Sequence, residues 1–114
     1  MIGGNTELIL KRLKKDDIAF DENGKRKASY EPVASLLGWI DLISGDSKYD
    51  YKAKIEDSTH VFVCDFEKLD DSDIESLRAT IDGKEYDVKY IDDPMKLHQH
   101  LEIYLKLVGG QNET

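Results

Sequence analysis

Apolar and polar residues alternate with a period of two along the last third of the chain, the spacing of a strand with one buried face. Val88 and Tyr90 fall on the same face of this pattern. Shortly before them, Asp82-Gly83 supplies the positive φ angles that a two-residue hairpin turn requires. The pattern therefore predicts a β-hairpin over residues 79–91.

The next segment allows two interpretations, a strand or a helix. Asp93 and Pro94 are suited to begin a helix, and Gly109 to end it. Strict alternation, however, places four apolar side chains on one face of a strand: Leu101, Ile103, Leu105 and Leu107. A helix would leave Ile103 and Leu107 on its wrong side. We favour a strand over about residues 100–108, preceded by a loop over 92–99.

Two apolar stretches predict central strands in the middle of the chain. Residues 59–66 are almost continuously apolar, which is typical of a strand covered on both faces. Residues 36–43 are rich in aromatic and branched side chains. Within them, Trp39 is expected to anchor the core rather than to stack on a ligand. Glu31-Pro32, just upstream, is expected to interrupt regular structure.

The remaining segments are short and polar. Asn23-Gly24 is a second hairpin signal, and residues 7–13 form a short strand or one helical turn. The acidic stretch 69–77 forms at most a helical turn. Together these elements predict a mainly β fold, a small antiparallel β-barrel or sandwich of about six strands. We expect a single domain over residues 1–114, flexible at 1–6 and 109–114.

Residues 44–58 predict a long projecting loop between two central strands. They carry turn residues and alternating charges without a clear hydrophobic period, and they exceed the usual length of a connection. Tyr49 and Tyr51 suit a protein contact, because each ring can be buried while its hydroxyl stays hydrogen-bonded. Lys48, Lys52 and Lys54 give the loop local positive charge. We interpret it as a loop that contacts a partner.

Composition narrows the classes of function. Sixteen basic and twenty-four acidic residues leave a net charge of −8, which disfavours nonspecific attraction to nucleic acid. The single cysteine, Cys64, lies among apolar residues and is interpreted as a packing residue in a reducing compartment. No signal-peptide pattern and no apolar run of membrane-spanning length occur. We expect a soluble protein made in a cytoplasm.

Candidate chemistry is sparse. His98 and His100, with His60 and an oxygen ligand from Asp92 or Asp93, suggest a zinc site, but no second half-site of recognisable spacing exists. The acidic residues of 70–75 are interpreted as a solvated turn, since nothing marks a pocket around them. No nucleophile elbow or phosphate-binding loop is present. We expect no metal, no cofactor and no enzymatic activity.

Several segments, in order along residues 30–110, resemble the head–tail joining proteins of tailed bacteriophages and prophages of Gram-positive bacteria, also called head-closure or stopper proteins. They are Gly38-Trp39-Ile40-Asp41-Leu42, Ser44-Gly45-Asp46-Ser47, Ser58-Thr59-His60-Val61-Phe62-Val63, the hairpin 79–91 and Asp92-Asp93-Pro94-Met95. These segments encode strands and turns rather than a chemical signature.

The resemblance implies a structural protein that forms a ring, typically of twelve subunits, below the portal and adaptor of the particle. Such a ring closes the DNA channel and presents the surface on which tail-completion proteins dock, and DNA passes without sequence recognition. The subunit is expected to be a monomer before assembly in the bacterial cytoplasm. In relatives, a long loop between central strands reaches the channel, and the matching segment here is 44–58.

A second class of function remains open from the residues alone. The chain is also compatible with a free-standing cytoplasmic β-barrel that binds one protein partner through Tyr49 and Tyr51. An acidic module that mimics DNA is a variant of this hypothesis. The two classes differ in stoichiometry, because a joining protein forms rings and an interaction module forms small complexes.

Overall fold

The computed structural model describes residues 2–14, 19–20, 23–24, 26–27, 29–43 and 58–110. Its strands are β1 (Thr6–Leu13), β2 (Ala19–Phe20), β3 (Arg26–Lys27), β4 (Tyr30–Leu42), β5 (His60–Asp65), β6 (Leu77–Ile81), β7 (Lys84–Asp92) and β8 (His100–Gly110). Six of them close a barrel in the order β1-β4-β5-β8-β7-β6, and every neighbouring pair is antiparallel. The predicted mainly β barrel of six strands is confirmed.

The barrel interior is filled by side chains that alternate with a period of two along each strand. Inward-facing residues from all six strands form one buried cluster: Leu8, Leu10, Leu36, Phe62, Cys64, Leu77, Ala79, Ile81, Tyr86, Val88, Leu101, Ile103 and Leu105. Burying an aliphatic or aromatic side chain of this kind is worth about 1.5–3 kcal/mol, so this cluster is the main source of stability. On the outer side of β5 and β8, Val61 and Tyr104 form a second buried pair. The prediction that β5 is covered on both faces is confirmed.

Both hairpin signals are confirmed. Ile81 pairs with Lys84, and the two residues between them have φ angles of 52° at Asp82 and 79° at Gly83, as in a type I′ turn. β2 and β3 pair on either side of Asn23-Gly24 and form a separate two-stranded ribbon.

β8 is a strand, so the interpretation favoured for residues 100–108 is confirmed and the helical alternative is wrong. The helix-starting residues Asp93 and Pro94 begin only a single 3₁₀ turn, Pro94–Lys96. The acidic segment likewise contains one 3₁₀ turn, Ile74–Ser76, and residues 6–13 are a strand.

A bulge corrects the predicted faces of β7. Val88 pairs with Leu105, but Tyr90 pairs with the adjacent Tyr104, so one extra residue lies between them on β7. Val88 therefore joins the interior, whereas Tyr90 packs with Tyr104 on the outer cluster. The prediction that both share a face is wrong, because a bulge reverses the alternation.

β4 corrects two further expectations. Pro32 lies inside the strand, next to a bulge that changes the pairing from Leu10–Ala34 to Lys11–Pro32. Trp39 is not a core anchor, because 49% of its surface is exposed. Its neighbours Leu36 and Gly38 face the interior, and alternation along the strand therefore turns Trp39 outward.

Gly38 is the point of closest packing between β4 and β5. A Cβ at this position would lie 2.2 Å from the carbonyl oxygen of Val63 and 2.9 Å from the ring of Phe62. The N-terminal segment crosses β4 here, since a Cβ on Gly4 would lie 2.2 Å from the Cα of Gly38. Only glycine fits at either position without a shift of the backbone.

Residues 2–5, expected to be flexible, are hydrogen-bonded to the barrel, and we call them the N-terminal strap. The backbone N–H groups of Ile2 and Gly3 donate to the carboxylate of Asp65. The N–H of Asn5 donates to the carbonyl of Gly38 at 3.1 Å. These bonds hold the strap across β4 and the end of β5.

A candidate assembly surface on the outer wall

The strand directions define two ends of the barrel. β7 and β8 are joined by residues 93–99 at one end, which we call the turn end. The Asp82-Gly83 hairpin lies at the opposite end, the hairpin end, where β4 also finishes at Leu42 and β5 begins at His60. The register places Tyr30 of β4 at the turn end, since it pairs with the last residue of β1.

The outer face of β4 carries an exposed apolar patch. Val33, Leu37 and Trp39 are exposed over 49%, 57% and 49% of their surface. They span seven residues of an extended strand, or about 20 Å from the first to the last. We call these three residues the β4 patch. Single exposed apolar residues are common, but a row on one strand is typical of a surface that a partner covers.

Part of the outer wall carries polar pairs instead. On β1, β6 and β7, the Lys11 ammonium lies 3.0 Å from the Glu85 carboxylate, and the Thr80 hydroxyl donates to the same carboxylate at 2.7 Å. Burial raises the pKa of Glu85, but its bonds from Thr80 and Lys11 outweigh this and hold the pKa below its ordinary value. Lys11, Thr80 and Glu85 are therefore paired within the subunit, whereas the β4 patch leaves apolar side chains exposed.

An exposed carboxylate borders the β4 patch. Glu7 on β1 is paired in register with Leu37, and its side chain accepts a hydrogen bond from the Ser35 hydroxyl at 2.6 Å. Glu31 is exposed at the turn end of β4. Trp39 is held by a hydrogen bond from its indole Nε1 to the carbonyl of Ile2 at 3.3 Å. The patch is therefore apolar with an acidic border and a fixed indole.

A second exposed apolar patch lies in the turn after β7. Met95 and Leu97 are exposed over 86% and 56% of their surface, and we call them the turn patch. Three residues without glycine's freedom adopt positive φ there: Met95 (54°), Lys96 (54°) and His98 (57°). Such conformations cost about 1–3 kcal/mol each, and their persistence points to a function for the turn.

Hydrogen bonds hold this turn in shape. The Asp93 carboxylate accepts the backbone N–H of His98 at 2.9 Å and contacts its Nδ1 at 2.5 Å. The His98 ring also packs on Phe66, with 4.6 Å between the ring centroids. Met95 and Leu97 therefore project from a turn that is fixed on both sides.

Arg12 fixes the neighbouring segment at the turn end. Its guanidinium donates to the carbonyl oxygens of Asp70 and Ser72 and to the Ser76 hydroxyl, at 2.7–2.9 Å. Hydrogen bonds from Ser72 lower the pKa of the Asp70 carboxyl. The acidic segment expected to be a solvated turn is thus attached to β1.

The predicted site residues have different outcomes. Lys48, Tyr49, Tyr51, Lys52 and Lys54 lie outside the described residues. Sequence reasoning missed the β4 patch and the turn patch, because apolar residues at strand or turn positions do not reveal which side faces solvent.

Each of the three histidines interacts with a different side chain of the protein. His98 contacts Asp93, the Nε2 of His100 lies 3.2 Å from Glu102, and the Nδ1 of His60 lies 2.9 Å from the Thr59 hydroxyl. Among the described residues, no group of three or more potential ligands could hold a metal ion. In the same part of the chain, no helix is long and apolar enough to cross a membrane.

Comparisons with known proteins give a family and a fold. The model of the family described as phage head completion protein matches residues 9–108. Among solved structures, a chain from the "Virion of native gene transfer agent (GTA) particle" matches with a TM-score of 0.53 and 12% identity, covering 93% of this chain and 96% of that one. At this identity the likeness shows the fold alone. No curated protein matches the sequence.

Proposed function

The chain belongs to the phage head completion protein family and is a structural virion protein of the head–tail junction, and we propose that it acts there as a ring. In this proposal the ring lies below the portal and adaptor, closes the DNA channel and presents the surface on which tail-completion proteins dock. Assembly takes place in the bacterial host cytoplasm, and the finished ring stays in the particle as part of its connector. No catalytic step is required of any residue.

One observation carries the proposal: the family match spans residues 9–108, and that range includes nearly all of the closed barrel. A closed barrel has no unpaired strand edge, so the subunit needs no partner to cover one. It can therefore be stable as a monomer and still carry outer patches for assembly. The β4 patch and the turn patch supply apolar area for such contacts.

The net charge is suited to passage of DNA. Each subunit carries −8, so a ring of copies would surround the duplex with predominantly negative charge. Like charges oppose adhesion of the phosphate backbone to the wall. DNA would then slide through without sequence recognition.

We assign the contact with the channel or with a partner to residues 44–58, which connect β4 to β5. Lys48, Lys52 and Lys54 are the positive charges of this segment, suited to an acidic partner surface or to the DNA end. Tyr49 and Tyr51 supply aromatic contact area. Replacing the three lysines with alanine should reduce DNA retention or ring assembly. Unchanged assembly and retention would refute this role.

Electron microscopy tests the proposed function directly. The protein is mixed with portal–adaptor complexes from its own particle, and the complexes are imaged in negative stain with and without it. The proposal predicts an added ring of density at the portal exit. If no portal, adaptor or tail component binds, the free-standing interaction module becomes the better account. A small complex of one or two copies with a single partner would also favour that module.

A further inference from the structure

We propose that the β4 patch of one copy binds the turn patch of the next copy, so that the ring forms by head-to-tail contacts between opposite walls of the barrel. This inference rests on the proposed function, because it names the surfaces through which the proposed ring is built. The argument uses the positions of the two patches around the barrel and the charges beside them.

Position comes from the strand order. β7 lies three strands from β4 in either direction around the barrel, and β8 lies two strands away. Six strands divide the wall into steps of roughly 60°, so the turn between β7 and β8 lies roughly 120° to 180° around from β4. Two different patches related in this way make a heterologous contact, and angles in this range close rings of about six or more copies.

The charged residues beside the two patches are of opposite sign. The β4 patch is bordered by Glu7, which is exposed and paired in register with Leu37. The turn patch carries Lys96 between its two apolar residues and His98 beside them, both exposed. The carboxylate of Asp93 is engaged by His98. Copies that repel through their net charge of −8 would therefore attract locally at this contact.

Cysteine cross-linking tests the contact, since the native Cys64 is buried and its pKa is raised to about 11 by burial, which keeps it from competing. Leu37→Cys and Leu97→Cys are prepared singly and together, and each is oxidised after addition to portal–adaptor complexes. The double variant should give a ladder of disulfide-linked multimers. A mixture of the two single variants should give dimers, and either single variant alone should give none.

A matched control replaces one partner with an exposed residue at the other end of the barrel. Leu97→Cys combined with Val108→Cys should give no ladder, because Val108 lies on the part of β8 nearest the hairpin end. Dimers from Leu37→Cys alone would overturn the inference in favour of a self-paired contact. Rings that form without the ladder would overturn it while leaving the proposed function intact. Absence of any ring with the wild-type protein would refute both the inference and the proposed function.

Charge reversal supplies an independent readout. Glu7→Lys places like charges against Lys96 and should lower ring yield at the portal about tenfold or more. Lys96→Glu should do the same against Glu7. The double variant should recover most of the wild-type yield, and failure of this recovery while the single variants stay folded by circular dichroism would contradict the pairing.

Discussion

The two faces of β4 differ in what they do for the molecule. Leu36 and Gly38 face inward, where both are buried and no additional atom fits at Gly38. Leu37 and Trp39, one residue further along in each case, face outward and are about half exposed. The strand therefore holds the subunit together with one face and offers apolar surface with the other.

This difference separates stability from assembly within a single strand. Inward residues act through packing, and changes there should lower the free energy of unfolding. Outward residues make few packing contacts within the monomer, so changes there should affect the contact between copies instead. Substitutions along β4 should therefore alternate in their effect with a period of two.

The largest effect is expected at Gly38. In Gly38→Val the new side chain would meet the carbonyl of Val63 and the ring of Phe62, both fixed in the barrel. Relief requires β4 and β5 to separate, at a cost of about 3 kcal/mol or more. Chemical denaturation and circular dichroism should show a chain that is unfolded or severely destabilised. A native-like midpoint would mean that the inner face is not the packed side of β4.

The next comparison sets Leu36→Ala against Leu37→Ala. Loss of the buried Leu36 side chain should lower the free energy of unfolding by about 2–5 kcal/mol. The exposed Leu37→Ala should change it by less than about 0.5 kcal/mol but should weaken ring formation on the portal. Urea denaturation and ring counts by electron microscopy measure the two effects. Equal destabilisation by both variants would erase the proposed distinction between the faces.

The smallest effect is the release of the N-terminal strap at low pH. The backbone N–H bond from Ile2 holds the pKa of the Asp65 carboxyl below its ordinary value of 3.8. A lowered pKa means that the bond stabilises the strap above that ordinary value and is lost as the pH falls through the lower value in the folded protein. The strap should detach at a pH below 3.8, before or with acid unfolding.

The fluorescence of Trp39 measures this release, because it is the only tryptophan and bonds to the strap at Ile2. Asp65→Ala, which removes both acceptor oxygens, is the matched control and should show the detached signal already at neutral pH, with no acid step of its own. An identical acid step in both proteins would show that Asp65 does not govern the strap.

Local signals predicted the parts of the fold that depend on local conformation. Asp82-Gly83 determines a turn because few other pairs adopt two consecutive positive φ angles. Strand β8 could be predicted because its apolar residues alternate with a period of two, and a helix would not place all of them on one buried face. The interior of β5 could also be predicted, because a continuous apolar run has no polar face to expose.

The predictions that were wrong concern which face of a strand a residue lies on and which distant residues it packs against. Leu36-Leu37 and Trp39-Ile40 place apolar residues on both faces of β4, so the sequence pattern does not indicate that Trp39 faces outward. The bulge before Tyr90 depends on the fit against β8 and has no local signal. The strained turn at 95–98 is held by Asp93 and Phe66, contacts that periodicity does not reveal.

The most direct test of the account is cryo-electron microscopy of the ring assembled on its own portal–adaptor complex. The account predicts that Leu37, 57% exposed in the subunit, is buried in the ring against the next copy's turn patch, while Leu36 stays inside its own barrel. A ring in which the β4 patch faces solvent or lines the channel would contradict it, because the outer face of β4 would then have no role in assembly.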